Sequence, residues 1–417
     1  MSTRRFAAAL FFAALVLRLC AAFVLRDPDA RPDSSSCGAD CVEFESLARQ
    51  VAQGNGYSTE SGQPTAFRAP GFPLLVAGIY SLAGFRPWVA YVAFAVIGGL
   101  AVVLTWLCAR RLLPGLAAAA AGIMAALYLP HVYFASLYYS ENLSALSLAV
   151  VALSSVVYLE RGSWWQVLVA GIALGVSILA RPFAILLAPP LIAIFLVYGP
   201  GRRITRAAAS ALLLAGTGAI VAPWALRNLE VLESPVFGST NGGSTFYGGN
   251  NDIVATQPGL LGSWVSTVGL PGREWIEQAP DEVTHDRREW ALGMRWVRSN
   301  PDKLPKLMVA KFVRFWLPDF GSANRKYIAL QLIVTTPCLV VLLIGLGVTL
   351  RGSEYWTGGW LVMHAVTLAT LACGLIFWGA PRFRDGSFSP LMLYGGVGVE
   401  WLWRKVSLIA SRRAVSS

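Results

Sequence analysis

The residues best suited to chemistry lie in two polar segments far apart in the sequence. Residues 26–73 contain Asp40 and Arg68, and the short segment 378–387 contains Arg382 and Arg384. A carboxylate can take a proton from an attacking hydroxyl group, and arginines can hold a departing anion such as a phosphate. We therefore expect a functional site where these segments meet, and the elements between them must bring them together.

The composition predicts that those elements are membrane helices. Hydrophobic residues make up 55% of the chain and charged residues 14%, and the mean hydropathy is +0.56. Apolar runs recur that are long enough to cross about 30 Å of hydrocarbon as helices. We predict ten spans, at residues 6–25, 87–109, 115–133, 141–159, 164–180, 183–199, 207–225, 327–350, 356–378 and 388–403.

The basic residues orient these spans. Clusters such as Arg110 and Arg111 all fall on one side of the ten-span arrangement, which the positive-inside rule assigns to the cytoplasm. Both termini are then cytoplasmic, and the long segments 26–86 and 226–326 lie outside, at the cytoplasmic or inner membrane. The formal net charge of +11 comes mostly from these clusters beside apolar spans, so we do not expect nucleic-acid binding.

The first outward segment, 26–86, predicts a short surface helix that starts at Asp40 and ends near Gly54. Its first residues form a capping box, so one interpretation of Asp40 is that it does no more than cap the helix. Residues 74–84 form an apolar stretch too short for a crossing, which indicates a re-entrant or interfacial helix.

Cysteine and histidine positions bear on disulfides and metals. Cys37 and Cys41 lie four apart in the outward segment, where a local disulfide is possible and a metal site is less expected because no histidine lies nearby in sequence. His131, His285 and His364 are separated, so we expect no zinc site from them. Dependence on a divalent cation stays open.

The other candidate site residues each have two interpretations. Glu141 opens an apolar segment, where a carboxylate must face a cavity or hold an arginine. Arg382 and Arg384 fit an anionic ligand, or they pair with Asp385 and reach lipid headgroups. The glycine- and amide-rich stretch before Asn250 and Asn251 fits close approach to a sugar or phosphate, or it is a flexible surface loop.

In their order, these pieces resemble the polytopic GT-C glycosyltransferases of the protein O-mannosyltransferase and lipid A aminoarabinose transferase type. The resemblance covers most of the chain. The motifs that carry it are Asp40-x-x-x-Phe44-x-x-Leu47-Ala48, Gly54-Asn55-Gly56-Tyr57, Arg68-Ala69-Pro70-Gly71-Phe72-Pro73, Ser140-Glu141-Asn142, Gly171-x-x-x-Gly175, Leu179-Ala180-Arg181-Pro182, Pro223-Trp224, Arg227-Asn228, Gly248-Gly249-Asn250-Asn251 and Arg382-Phe383-Arg384.

The resemblance implies roles for residues of those motifs. Asp40 matches the catalytic aspartate of the family, with Asp33, Asp29 and Glu43 as substitutes. Many relatives have tyrosine where this chain has Phe44. Glu141 is the second catalytic candidate. The residues expected to bind substrate are Arg68, Arg227, Arg382, Arg384, Asn250, Asn251 and Tyr57.

The sequence therefore predicts an all-α integral membrane protein with a single GT-C-like domain over residues 1–417. The implied activity is inverting transfer of a sugar from a polyprenyl-phosphate carrier to an acceptor on the outer membrane face, the acceptor being a protein, lipid or polysaccharide. The active site would lie between segments 26–86, 226–326 and 378–387. A lipid or solute transporter is one alternative. A non-catalytic envelope protein that binds lipid-linked sugar is the other.

Overall fold

A computed structural model describes residues 2–318 and 325–416. Its α-helices are α1 (Thr3–Leu25), α2 (Ser34–Cys37), α3 (Ala39–Ala52), α4 (Gly71–Ala83), α5 (Pro87–Leu112), α6 (Gly115–Leu127), α7 (Leu129–Phe134), α8 (Glu141–Arg161), α9 (Trp164–Ala180), α10 (Ala188–Tyr198), α11 (Arg203–Leu232), α12 (Gly242–Gly248), α13 (Asp252–Thr256), α14 (Arg273–Glu277), α15 (Glu282–Ser299), α16 (Leu304–Trp316), α17 (Arg325–Leu330), α18 (Thr336–Arg351), α19 (Gly358–Ile376), α20 (Pro381–Asp385) and α21 (Phe388–Ser416). Short 3-10 helices occupy Pro182–Leu187, Thr267–Gly269 and Ser353–Tyr355, and a π-helical turn occupies Gln331–Thr335. No strand occurs in the described part of the chain, so the all-α prediction is confirmed.

Each of the ten predicted spans contains helix, but fewer than ten helices have the length and composition needed to cross a membrane. Within the described ranges, six helices are long and apolar enough to cross a membrane: Thr3–Leu25, Pro87–Leu112, Glu141–Arg161, Arg203–Leu232, Ile328–Arg351 and Gly358–Ile376. Four further apolar helices are shorter, at Gly71–Ala83, Gly115–Leu127, Trp164–Ala180 and Pro182–Tyr198. The count of ten crossings is therefore not confirmed.

Close packing of α9 on α11 fixes the end of α9 that leads to the site. A Cβ atom at Gly171 would lie 2.4 Å from the carbonyl oxygen of Leu213, and one at Gly175 would lie 2.9 Å from that of Thr217. Small residues at this spacing let two helix backbones approach, as in other membrane bundles. The hydroxyl of Thr217 also donates to the Gly171 carbonyl at 3.0 Å. Arg181, which directly follows α9, is thereby held in place.

Segment 26–86 forms the predicted short helices, with one correction. The α3 helix is capped by Gly38, whose φ is 86°, and Asp40 is the second residue of the helix rather than its cap. Because the Asp40 carboxylate bonds to arginines instead of backbone N–H groups, the capping-box prediction is wrong.

Cys37 and Cys41 form a disulfide that joins α2 to α3. The α4 helix has 13 residues, about 20 Å, which is too short for a crossing.

Segment 226–326 is more ordered than a flexible loop. The glycine- and amide-rich stretch folds into α12 and α13, and Phe246, Tyr247, Asn250 and Asn251 are buried, so the interpretation as a flexible surface loop is wrong. Further along this segment, α15 and α16 follow. Residues 319–324 of the predicted segment 226–326 lie outside the described residues.

Candidate active site

Asp40 lies between two arginines that come from distant parts of the chain. Nη2 of Arg68 donates to Oδ1 of Asp40 at 2.6 Å, and Nη1 of Arg382 donates to Oδ2. Both carboxylate oxygens therefore accept a charged hydrogen bond. The sequence prediction that Asp40, Arg68 and Arg382 come together agrees with this geometry.

The start of α3 and the turn before α4 hold Arg68. Its Nε donates to Glu43 at 2.5 Å, one turn along α3 from Asp40. The guanidinium lies over the rings of Phe44 and Phe67, at 5.6 and 5.2 Å from their centroids. Cations bind well to aromatic faces at these distances. The ring of Phe44 therefore contacts the arginine.

Glu141 lies behind Arg382, on the side away from Asp40. It is fully buried, and it forms ion pairs with both Arg382 and Arg181. The guanidinium of Arg382 also lies 4.2 Å from the centroid of the Tyr139 ring. Three contacts thus fix Arg382, and Glu141 orients it. Of the two interpretations of Glu141, the structure matches the one in which it holds an arginine.

The six charged side chains alternate in sign along one connected row: Glu43, Arg68, Asp40, Arg382, Glu141 and Arg181. Their formal charges sum to zero. Burial alone would raise the pKa of Asp40, but the positive charges of Arg382 and Arg68 outweigh it and hold that pKa well below its usual range. Burial alone would lower the pKa of Arg382, but the negative charges of Glu141 and Asp40 outweigh it and hold that pKa well above its usual value. Asp40 is therefore ionised at neutral pH and is a weak base in this state.

A cavity of about 670 Å³ opens beside this row. One wall carries Asp40, Glu43, Arg68, Arg181 and Arg382 together with Phe44 and Phe383. The second wall comes from α12, α15 and the stretch between them, and its side chains include Ser244, Thr245, Trp264, Thr267, Arg273, His285 and Glu289. The cavity is large enough for a sugar ring and a phosphate.

Two of the predicted phosphate-binding arginines lie elsewhere and are committed to backbone carbonyls. Arg227 donates to the carbonyl oxygens of Tyr57 and Thr65 at 2.6 and 2.9 Å. Arg384 is buried, pairs with Asp385, and donates to Phe315 and Trp316 at the end of α16. Neither belongs to the described lining of the cavity, since Arg227 lies against residues 57–65 and Arg384 lies against the end of α16.

Three further predicted substrate-binding residues are also internal. The Tyr57 hydroxyl donates to the Arg68 carbonyl at 2.9 Å, so it shapes the turn that carries Arg68. Asn250 donates to the Ile376 carbonyl and accepts from Lys311 Nζ, each within 2.9 Å. Asn251 caps α13 by accepting from the backbone N–H of Val254. These residues support the walls of the cavity and are not among its described lining.

Arg181 belongs to a motif that carries the resemblance but was not among the candidate site residues, and the side chains of the second wall were not candidates either. Arg181 directly follows an apolar span at the same predicted membrane face as Glu141, and that shared depth was the available signal for their ion pair. His285 and Trp264 lie in segment 226–326, outside the motifs that carry the resemblance. Among the described residues, no group of three or more histidine, cysteine or acidic side chains is arranged to hold a metal ion.

Comparison with known proteins relates the chain to sugar-transferring membrane enzymes. The family model described as dolichyl-phosphate-mannose-protein mannosyltransferase matches residues 67–226, a segment that includes Arg68, Glu141 and Arg181. No protein of curated function matches the chain by sequence.

Solved structures resemble the chain over almost its whole length. The oligosaccharyltransferase AglB from Archaeoglobus fulgidus, in complex with an inhibitory peptide and a dolichol-phosphate, aligns with a TM-score of 0.58 and 12% identity over 99% of this chain. The alignment covers 52% of AglB, so the chain spans about half the length of that relative. ArnT from Cupriavidus metallidurans, bound to undecaprenyl phosphate, aligns with a TM-score of 0.45 and 18% identity over 94% of this chain and 77% of ArnT. The likeness to AglB shows that the chain has the GT-C membrane fold.

Proposed function

We propose that this protein is a membrane glycosyltransferase that moves a sugar from a polyprenyl-phosphate carrier to an acceptor on the outer face of the cytoplasmic membrane. The GT-C fold and the mannosyltransferase family match support the general activity. One observation carries the assignment of the site: Asp40 is clamped between Arg68 and Arg382 at the wall of a large cavity.

The two arginines are the proposed binding site for the phosphate of the donor. A guanidinium presents a planar fork of N–H donors that matches phosphate oxygens, and it stays charged. The row of charges is neutral without ligand, so a phosphate can replace Asp40 as the acceptor of these hydrogen bonds without leaving an arginine unpaired. The complex of AglB with a dolichol-phosphate supports a lipid-linked phosphate as the ligand class.

Asp40 is the proposed general base of an inverting transfer. It takes the proton of the acceptor hydroxyl while that oxygen forms a bond to the anomeric carbon. The bond between the anomeric carbon and the phosphate oxygen breaks at the same time, and its electron pair stays on the phosphate. Arg68 and Arg382 stabilise the charge that develops there, so no acid is needed to protonate the leaving group.

Donor binding would also activate Asp40. Without ligand, the two arginines keep the pKa of Asp40 well below its usual range, so the carboxylate holds a proton poorly. When the arginines turn to the phosphate, Asp40 loses these partners and gains a negative neighbour. Both changes raise the pKa of Asp40. The base would therefore become effective only when the donor is bound.

Glu141 acts as a positioning residue in this proposal. It is buried behind Arg382 and shares no described surface with the cavity, so its task is to keep Arg382 and Arg181 in place. For the sugar of the donor, mannose is the first candidate, because the matching family model describes dolichyl-phosphate-mannose enzymes.

The donor site can be tested by binding of undecaprenyl phosphate and dolichyl phosphate to purified protein in lipid nanodiscs. Loss of one charged hydrogen-bond partner costs about 1.5–3 kcal/mol, so Arg68→Gln should weaken binding about 10- to 100-fold. Arg382→Lys keeps a charge beside Glu141, and its loss of the donor fork should also weaken binding.

The matched control is Arg298→Gln, which changes an exposed arginine outside the described cavity lining. It should bind both lipids as the wild type does. Equal binding by the wild type and both site variants, each verified as folded by gel filtration, would contradict the donor site.

A further inference from the structure

The second wall of the cavity is rigid. Oδ1 of Asp286 on α15 accepts from the backbone N–H of Gly243 on α12 at 2.6 Å. A Cβ atom at Gly243 would lie 2.1 Å from the carbonyl oxygen of Asp286, so the two helices touch at this glycine. Because backbone meets backbone here, side chains on α12 and α15 face the cavity from fixed positions.

Trp264 presents a fixed aromatic surface on this wall. Its Nε1 donates to the carbonyl oxygen of Ser244 at 3.1 Å. The indole packs against Gly248, where a Cβ atom would lie 2.2 Å from Nε1. The polar atom of the indole is thus already bonded within the protein, yet 39% of the residue is exposed and it lines the cavity. The accessible part is an apolar ring surface.

Polar groups lie on the same wall. Glu289 is almost fully buried and accepts from the Thr267 hydroxyl at 2.6 Å. Its second oxygen lies 3.7 Å from Nδ1 of His285, whose side chain is 35% exposed. Nε2 of His285 has no hydrogen-bond partner in the described part of the chain. The hydroxyls of Ser244 and Thr245 are nearby members of the lining.

We propose that this second wall is the acceptor subsite and that the acceptor is a carbohydrate. This inference rests on the proposed function. In an inverting transfer the acceptor oxygen approaches the anomeric carbon from the side opposite the phosphate and within reach of Asp40, so the rest of the acceptor extends away from Arg68 and Arg382. The wall that carries Trp264 and His285 is a second polar surface of the same cavity.

The chemistry of the wall fits a sugar ring. One face of a pyranose carries C–H groups, and this apolar face can pack on an aromatic ring such as that of Trp264. The hydroxyls at its edge need hydrogen-bond partners. Nε2 of His285 can donate or accept, and the hydroxyl oxygens of Ser244 and Thr245, whose protons go to the Asn241 carbonyl, can accept. Polar groups few in number and fixed in position give a largely apolar pocket its specificity.

The test uses simple glycosides as probes of the wild-type protein in nanodiscs. Methyl α-mannopyranoside and methyl β-glucopyranoside are titrated, and saturation-transfer NMR reports their binding. At least one should bind, and Trp264→Ala should weaken it at least about tenfold, whereas Trp264→Phe keeps a ring and should retain most of the affinity. Trp275→Ala is the matched control, since Trp275 is 42% exposed and is not part of the described cavity lining.

Histidine NMR gives a second readout that a merely structural effect would not move. His131 and His364 are buried away from the described cavity wall, so a glycoside at the subsite should shift the His285 resonance selectively. The proposal would be overturned if the wild type bound neither glycoside. It would also be overturned if Trp264→Ala bound a glycoside as tightly as the wild type does. Binding of a serine- and threonine-containing peptide in place of the glycosides would overturn the carbohydrate assignment.

The outcome separates this inference from the function on which it rests. Trp264→Ala should bind undecaprenyl phosphate as the wild type does, because Arg68 and Arg382 are unchanged. If the wild type fails to bind the lipid phosphate, the donor site fails. If it binds the lipid and the variant binds glycoside normally, only the acceptor subsite fails.

Discussion

Arg382 donates a hydrogen bond to Asp40 although 342 residues separate them in the sequence. The contact joins segment 26–86 to segment 378–387, so the cavity wall exists only when the whole helical bundle is folded. Arg382 is also paired with Glu141 on its other side. The position of the proposed base is therefore coupled through one guanidinium to a buried carboxylate at the start of α8.

Glu141→Gln should destabilise the protein and weaken donor binding. The substitution leaves Arg181 and Arg382 without a buried carboxylate, and removal of one member of a buried ion pair typically costs about 3–5 kcal/mol. Unfolding followed by tryptophan fluorescence should show a clear loss of thermal stability. The KM for the lipid-linked donor should rise more than kcat falls.

Glu160→Gln is the control for that variant, because Glu160 pairs with Arg111 near the other end of α8 and is partly exposed. A surface pair contributes about 0–1 kcal/mol, so its loss should hardly change stability. Equal effects of the two substitutions would show that Glu141 has no special structural role.

The ion pairs of Asp40 predict a defined dependence of stability on pH. Because the folded-state pKa of Asp40 is depressed below the reference value of 3.8, its stabilising contribution is complete well above that pH and is lost as the pH falls below it. Thermal unfolding between pH 6 and pH 3 should show a smaller loss of stability on acidification for Asp40→Asn than for the wild type. Parallel curves for the two proteins would refute the depressed pKa.

Asp286 predicts the opposite slope in a higher pH range. Burial, with the charges of Glu289 and Glu282, raises its pKa from 3.8 to about 6 despite the N–H of Gly243. The folded state then binds a proton more tightly than the unfolded state, so this residue makes stability fall as pH rises from about 4 to about 6. Asp286→Asn keeps an oxygen for Gly243 and should remove that decline.

Asp302→Asn, which changes an exposed carboxylate, serves as the control for Asp286 and should follow the wild-type curve. If Asp286→Asn retains the full pH dependence of the wild type between these values, the raised pKa is refuted.

The membrane orientation predicts which cysteines a membrane-impermeant maleimide can reach. In a variant without the four free cysteines, Gln257→Cys should react in intact cells because 226–326 is placed outside. Ser411→Cys, on the exposed end of α21, should react only after permeabilisation. The reverse pattern would place the active site on the cytoplasmic face.

The parts of the structure that the sequence predicted are those set by local pattern and by shared membrane depth. Apolar runs predicted the helices, and the charge distribution predicted one membrane face for Asp40, Arg68 and Arg382, which the structure shows in contact. Local pattern could not separate Arg382 from Arg384, since only tertiary packing decides that Arg384 meets the carbonyls at the end of α16. It also could not show that Gly38 would cap α3 in place of Asp40.

The second wall was beyond local pattern for a different reason. Trp264 and His285 are far from the catalytic motifs in sequence, and their shared surface depends on the contact of α12 with α15 at Gly243. A sequence does not distinguish a glycine that allows two helices to touch from a glycine that allows a turn. The structure was needed to place these residues on the cavity.

The most direct measurement of the central claim is sugar transfer by Asp40→Asn. Wild-type and variant proteins in nanodiscs are supplied with polyprenyl-phosphate [¹⁴C]mannose and with acceptor-bearing cell envelope, and Glu60→Gln, an exposed carboxylate of the same loop, serves as control. Loss of a general base typically lowers the rate about 10²–10⁴-fold. We predict that loss for Asp40→Asn alone, with undecaprenyl phosphate binding retained. Transfer by Asp40→Asn at the wild-type rate would contradict the mechanism.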